Sequence, residues 1–498
     1  MKRYKHNLSH YKVVTGDGGI LYPISHYEVL PGDTVQQQSS ALVRCSPLLA
    51  PVMHRFHVRV HTFYLPFRIL HDDWEDFITG KNPAATLPKL DLKTKNWGDG
   101  AGIVAEGTLP DYLGIPPGNY STAAAEDVSV NAWPLHAYNR IWNEYYRDQD
   151  LAAEITDISP WLQRVSWGKD YFTAARPWPQ KGTAVSIPLG DSAPVTGIGI
   201  ATGSSFAQTN PNVYETDGSG STTYAKGAVS SAPAEHFLIE EDPNNLGFPN
   251  IRTDLTGATA SDVRDVRVAF ALQRYEEARA MYGSRYTEYL RYLGVRSSDA
   301  RLQRPEYLGG GKRDISFSEV LQTAEGTDPV GAMKGHGISG MATRPFRKFF
   351  EEHGIVMSVM SIRPQSIYSN GLHRSWLRET KEDYFQKELQ FVGQQEIKNG
   401  EVYFSNDSLN YDTFGYGDRY SEYTHHPSTI AGDFRSTLDF WTAARSFTSR
   451  PALNTTFTNC DPTDRIFAVP SEHTFWVASQ QKIIARRMVQ SDPTARIL

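Results

Sequence analysis

The chain has 498 residues, 40% of them hydrophobic and 21% charged, enough to bury the core of one large domain or of about two to three ordinary ones, which excludes wholesale disorder. Its formal charge of −6 argues against a uniformly basic nucleic-acid binder, and with no run of about 18 apolar residues nothing reads as spanning or inserting into a membrane. The two cysteines, Cys45 and Cys460, lie far apart and lack the spacing of a disulfide framework or zinc site, as expected of a chain made in a reducing cytoplasm.

In chain order, the N-terminus is basic: Lys2, Arg3, Lys5 and Lys12 face no acid in the first twelve residues and alternate with Tyr4 and Tyr11. A polar stretch follows where a signal peptide needs an apolar core, so no secretion signal is expected. Short runs rich in β-branched and aromatic residues at 27–30, 41–45 and 57–65, punctuated by Pro31-Gly32-Asp33 and by Pro47 to Pro51, predict strands. Further strand-like runs occur at 183–189, 354–362, 402–404 and 474–478. Residues 190–260 are dominated by Gly, Ser, Thr, Ala and Pro and predict a surface-lying insertion, a linker between two domains being the alternative. One helix is expected over 262–293, with Ser261 as N-cap and Gly283 and Gly294 interrupting or ending it.

The charge is unevenly spread. Residues 191–262 hold nine acids and two bases, a local −7, which leaves the remainder at +1. From Lys482 onward, Lys482, Arg486, Arg487 and Arg496 face only Asp492. Both ends are therefore basic and one internal segment is acidic. Aromatic residues make up 12% of the chain, with 26 Tyr and 10 Trp, a composition suited to wide interfaces and equally to a large Tyr-rich β-protein.

The search for catalytic or metal chemistry finds none. His54, His57 and His61 are a loose metal-like cluster with no carboxylate at close spacing, and strand histidines are commonly structural. The run His71-Asp72-Asp73-Trp74-Glu75-Asp76 has enough carboxylates for acid–base work or cation binding, but reads better as a solvated helix start capped by Asp72 or Asp73. Gly335-His336-Gly337-Ile338-Ser339-Gly340 matches a dinucleotide string without the strand-before, helix-after context, and Gly309-Gly310-Gly311-Lys312 lacks the first glycine and the Ser/Thr of a phosphate loop. A carbohydrate-binding or carbohydrate-hydrolysing β-protein is the alternative that the aromatic content and the 72–76 carboxylates leave open.

Several stretches resemble major capsid proteins of the Microviridae, in particular the gokushovirus branch of these bacteriophages. They include Asn7-Leu8-Ser9-His10-Tyr11-Lys12, Val29-Leu30-Pro31-Gly32-Asp33-Thr34, residues 46–54 and 72–80, and Gly283-Ser284-Arg285-Tyr286-Thr287-Glu288. Residues 299–310, Met360-Ser361-Ile362-Arg363-Pro364, Gly393-Gln394-Gln395, Phe414-Gly415-Tyr416 and residues 434–441 continue the series. The blocks run in order over nearly the whole chain and fade only in the acidic segment. The resemblance implies a mainly β fold, a viral jelly roll of eight antiparallel strands with long loop insertions and a few helices. Residues 1–189 would form the first part of the shell domain with an N-terminal arm, 190–261 a surface insertion clustering as a threefold protrusion, and 262–498 the remainder with a C-terminal tail.

The resemblance also implies a T=1 icosahedral virion of about sixty copies, a homo-oligomer, enclosing circular single-stranded DNA and assembled in the cytoplasm of a bacterial host. Its expected partners are a small basic DNA-binding protein, a scaffolding protein, a pilot protein and a host surface receptor. It brings no catalytic residues, cofactor or metal. On charge and aromatic content, Lys2, Arg3, Tyr4, Lys5 and Lys12 are the candidate DNA contacts, or else an arm threading into a neighbouring subunit. Gly203, Tyr214, Asp217 and Tyr224 mark the candidate host-facing protrusion.

Overall fold

The start of the chain is almost entirely extended, as β1 (Tyr4–Asn7), β2 (His10–Gly16), β3 (Leu21–Val29), β4 (Thr34–Cys45) and β5 (Phe56–Pro66). The computed structural model describes residues 3–490 except 83, 85, 123–127, 157, 184, 186–194, 197, 203–211, 216–221, 224–225, 228–234, 240–243, 245–249, 254–262 and 324–328. Most of the expected strand 183–189 and the expected cap Ser261 therefore lie outside the described residues. By internal contacts the chain divides into two units, one of Met1–Pro179 with Arg279–Leu498, the other Gln180–Ala278.

The larger unit has one α-helix of more than three turns before the division, α1 (Trp133–Tyr145). The smaller unit has its own antiparallel sheet of β6 (Ile198–Thr202), β7 (Asn212–Glu215), β8 (Thr222–Thr223), β9 (Lys226–Gly227) and β10 (Glu235–Ile239), in the order β8–β7–β6–β10–β9. The described backbone there includes these paired strands. Next come α2 (Val263–Tyr282) and α3 (Tyr286–Tyr292), where one helix was expected. Gly283 separates them at φ +97°, and a Cβ there would sit 2.3 Å from the Glu288 carboxylate. That carboxylate accepts the Arg285 N–H at 3.0 Å and restarts the helix.

The larger unit is completed by β11 (Glu306–Asp314), β12 (Ser316–Leu321), β13 (Met333–Ala342), β14 (Phe346–Phe349), β15 (Gly354–Pro364) and β16 (Phe475–Arg487). A seven-stranded antiparallel sheet runs β1–β16–β4–β13–β12, with β2 also on β16 and β14 also on β4, and a four-stranded one runs β11–β5–β15–β3. Both glycine strings fall inside strands, Gly309–Lys312 within β11 and Gly335–Gly340 within β13, which disposes of a nucleotide-binding loop at either. The two sheets face each other across a core in which Val43, Phe475 and Val477 of the larger meet Ile24, Val58, Met360 and Ile362 of the smaller. This is a mainly β, jelly-roll-like architecture, with more than the minimal eight strands because both chain ends join the larger sheet.

Burial distinguishes the two sheets. The other face of the four-stranded sheet is covered by α1, which packs Trp133, Leu135, Tyr138, Ile141 and Trp142 against Phe63, Leu65, Met357 and Val359. Each such side chain contributes about 1.5–3 kcal/mol by leaving water. Covered on both sides, β15 is buried at ten of its eleven positions. β4 and β16 instead alternate between buried and open, so one face of the seven-stranded sheet is left to solvent.

The strand expected at 402–404 is not formed. Residues Asn399–Val402 make a helical turn, because the Glu401 carboxylate accepts the Lys398 N–H at 2.9 Å and is buried against Arg374 at 3.0 Å and the Tyr171 hydroxyl at 2.9 Å. A local polar network outweighs the β-propensity of Val402, Tyr403 and Phe404. Among the described residues no helix is long and apolar enough to cross a membrane.

Candidate nucleic-acid interface

The open face of the seven-stranded sheet is set by strand alternation. Direct cross-strand pairs share a face, so register identifies its occupants. Lys5 of β1 stands opposite Arg486 of β16, which stands opposite Thr34 of β4. Tyr11 pairs with Gln480, Trp476 with Arg44, and Arg44 with Ile338 of β13. Lys482 lies opposite Gln38, and Arg347 of β14 opposite Gln36. With Lys334 of β13, six cations share this face, and none of its strand positions carries Asp or Glu. Tyr11 is 64% exposed, Phe349 46% and Trp476 41%, so aromatic faces stand among the charges. Cations on acid-free strand positions, with exposed rings among them, suit a phosphate backbone whose bases are free to stack.

The expected DNA-contacting residues divide. Lys2 lies outside the described residues. Arg3 is exposed, its guanidinium 5.1 Å over the Phe349 ring at the rim of the face. Tyr4 and Lys5 lie in β1, with Lys5 outward and Tyr4 half-buried. Lys12 points the other way: its ammonium donates to the carbonyls of Tyr112 and Pro23, the latter at 3.0 Å, and burial lowers its pKa to about 8. From Tyr4 onward the segment is paired edge strand rather than a free arm. Sequence reasoning noted Lys482 and Arg486 as a basic tail but missed Arg44, Lys334, Arg347, Phe349 and Trp476. The available signal was an acid-free outward alternation over 34–44 and 476–486.

Gly203, Asp217 and Tyr224 lie outside the described residues; Tyr214 is in β7, where only the backbone is described. The histidines do not converge on a metal. His54 is buried with its Nε2 2.8 Å from the Gln365 carbonyl, His57 pairs its Nδ1 with Asp314 at 2.7 Å, and His61 lies 2.7 Å from the Tyr146 hydroxyl. Among the described residues no cluster of His, Cys, Asp or Glu could hold a metal ion. The acidic run does begin a short helix, Trp74–Thr79, but Asp73 at the cap position makes no side-chain bond; Glu75 and Asp76 lie near Arg68 and Lys81 in solvent.

A model of the phage capsid protein (F protein) family matches residues 1–494. Capsid protein VP1 of Bdellovibrio phage phiMH2K is 34% identical over 88% of this chain and 84% of its own. VP1 of Chlamydia phage 1 is 31% identical over 95% and 92%, and VP1 of Spiroplasma virus 4 is 28% identical over 91% and 86%. A match of this extent, on a two-sheet frame, places the chain: it belongs to the capsid (F) protein family of the Microviridae.

Proposed function

We propose that this protein is the major capsid protein of a bacteriophage, forming a closed shell of about sixty copies with the open face of its seven-stranded sheet against single-stranded DNA. The observation that carries the DNA contact is the acid-free row of Lys5, Arg44, Lys334, Arg347, Lys482 and Arg486 with Tyr11 and Trp476 among them. Arg3 extends it at the rim, whereas Tyr4 shares the opposite face with Arg487 and Lys12 serves the subunit's interior. The relatives are structural proteins, and no observation favours the carbohydrate-directed alternative.

The test is the quadruple variant Lys5→Gln, Arg44→Gln, Lys482→Gln, Arg486→Gln. Particles should still form, carry less DNA, and bind single strands with a log–log salt slope flatter by about three, at about 0.7 per phosphate contact. Unchanged DNA content and slope would refute the assignment. Beyond the acidic segment the chain is nearly neutral, so a small basic protein or polyvalent cations should accompany the genome. Scaffolding and pilot proteins complete the expected set, with assembly in the host cytoplasm. The segment holding Gly203, Tyr214, Asp217 and Tyr224 is assigned to host-receptor contact; deletion of residues 195–255 should leave shells that fail to adsorb, and loss of shells would instead make it an assembly element.

A further inference from the structure

A cavity of about 320 Å³ opens beside the four-stranded sheet, at the small end of ligand pockets, which run from about 300 to 1,000 Å³. Its walls carry Arg59 and Arg363 from adjacent strands, His57, Lys169, and the pair His425 and His426. Arg59 is opposite Ser361 in the β5–β15 register and His57 opposite Arg363, so the two guanidiniums are neighbours on one face. Burial and the charge of Arg59 hold the pKa of Arg363 below its usual value. Arg363 donates to the Ser166 carbonyl at 2.5 Å, while the buried Nε of Arg59 has no hydrogen-bond partner.

The one carboxylate in the wall does not compensate them. Asp170 already accepts from the Phe172 and Thr173 amides at 3.1 and 2.8 Å, the Thr173 hydroxyl at 2.9 Å and the Tyr368 hydroxyl at 2.9 Å. Nor does Asp314 serve Arg59: it is turned to His57 at 2.7 Å, with Arg55 at 3.7 Å. Two guanidiniums side by side in a partly dry cavity, one with an idle buried N–H, are costly unless an anion joins them. Guanidinium forks match tetrahedral oxyanions bidentately.

We infer that the cavity between Arg59 and Arg363 is a binding site for a phosphate-type oxyanion. The site is separate from the open sheet face and does not depend on the DNA contact assigned there. A genome phosphodiester and free inorganic phosphate present the same chemistry, and the experiment separates them.

The full-length protein is titrated with inorganic phosphate at constant ionic strength, following thermal unfolding and calorimetric heat, for wild type, Arg59→Gln and the sheet-face quadruple variant. Saturable binding should weaken about ten- to a hundredfold in Arg59→Gln, while the quadruple variant binds as wild type does. Competition by an oligothymidylate identifies a phosphodiester as the natural occupant; its absence identifies free phosphate; both support the site. Wild-type protein that shows no saturable phosphate effect, or an effect equal in Arg59→Gln, overturns it. Should Arg59→Gln fail to fold, wild-type particles soaked in tungstate, a heavy tetrahedral oxyanion, decide: density between the two guanidiniums is expected, and an empty cavity overturns the site.

Discussion

Gln37 stands where the two sheets of the shell domain meet, 1% exposed, and its replacement by Leu tests whether a polar seam fixes their register. Its amide donates to Ser358 of β15 at 3.0 Å and to Gln481 of β16 at 3.1 Å, and its carbonyl accepts from the Tyr27 hydroxyl at 2.8 Å. Leucine is similar in volume, so the cavity cost is small and the polar cost dominates. Ser358 keeps Thr62 at 2.9 Å and Gln481 keeps Ser39 at 2.5 Å, so each loses one bond of two, worth about 0.5–1.5 kcal/mol. The Tyr27 hydroxyl faces hydrocarbon, at about 1–3 kcal/mol. Offsetting this, a buried leucine contributes about 1 kcal/mol more than the amide it replaces. The expected net loss is about 2–4 kcal/mol, a large share of a typical domain's stability of about 5–15 kcal/mol. Urea unfolding of the expressed subunit, followed by near-ultraviolet circular dichroism, measures it. Gln37→Leu combined with Gln481→Leu should cost at least about 0.5 kcal/mol less than the two single losses together, because the second change removes a stranded partner. A loss in Gln37→Leu below about 0.5 kcal/mol, or strict additivity, would refute the seam's role.

Gly335→Ala should abolish soluble folded protein, since a Cβ there would lie 2.1 Å from the Ala50 carbonyl oxygen, whereas Gly340→Ala in the same strand meets nothing within 4 Å and should leave solubility and thermal midpoint within a degree or so of wild type. Burial holds His26, His54 and His61 at pKa values of about 4. The unfolded chain protonates them near 6.5, so the stability they contribute should be lost as pH drops from about 6.5 to about 4; His26→Gln should remove about one proton from that slope in urea titrations across pH. Burial raises the Cys45 and Cys460 thiols to about 12, so iodoacetamide at pH 8 should label neither until denaturant is added; fast labelling of folded protein would contradict their placement in the core.

The β frame was legible where burial leaves a simple periodic record. The run from His57 to Leu65 lies inside β5, and Gly354 to Ile362 inside β15, because strands covered on both faces need continuous apolar and β-branched residues. The run at 474–478 was seen only as a stub of β16, since Gln480, Gln481 and Lys482 look like the end of a strand. In the fold Gln481 is wholly buried in the seam with Gln37 and Ser39, and long-range pairing with β4 carries the strand on to Arg487. The same partners explain the terminal basic segment, whose extended pairing with β16 needs a strand more than 450 residues away in sequence. Residues 402–404 were misread for the converse reason: the local pattern is β-like, and the buried Glu401–Arg374 pair that overrides it spans separate loops.

The electrostatic site was half legible, and the reason is geometric. Counting charges along the chain finds clusters only where they are contiguous, as at Lys2–Lys5, and there it finds too many, since Lys12 turns inward. Arg44 and Lys334 each sit alone in a polar or apolar stretch, Arg347 lies in a short run of mixed charge, and the three become a group only when β4, β13 and β14 lie side by side. A chain whose non-acidic part sums to only +1 can still present an acid-free face, because its carboxylates are confined elsewhere: Asp72, Asp73, Glu75 and Asp76 around one short helix, and Asp33 beneath the sheet, holding Arg487 at 2.8 Å. What a strand exposes alternates with what it buries, so a sheet with one face in the core must collect its charges on the other. Whether those charges agree in sign is free of any folding requirement, and six cations with no acid among them is an arrangement that stability alone does not call for. A polyanion lying along the sheet, as proposed for the genome, would call for it.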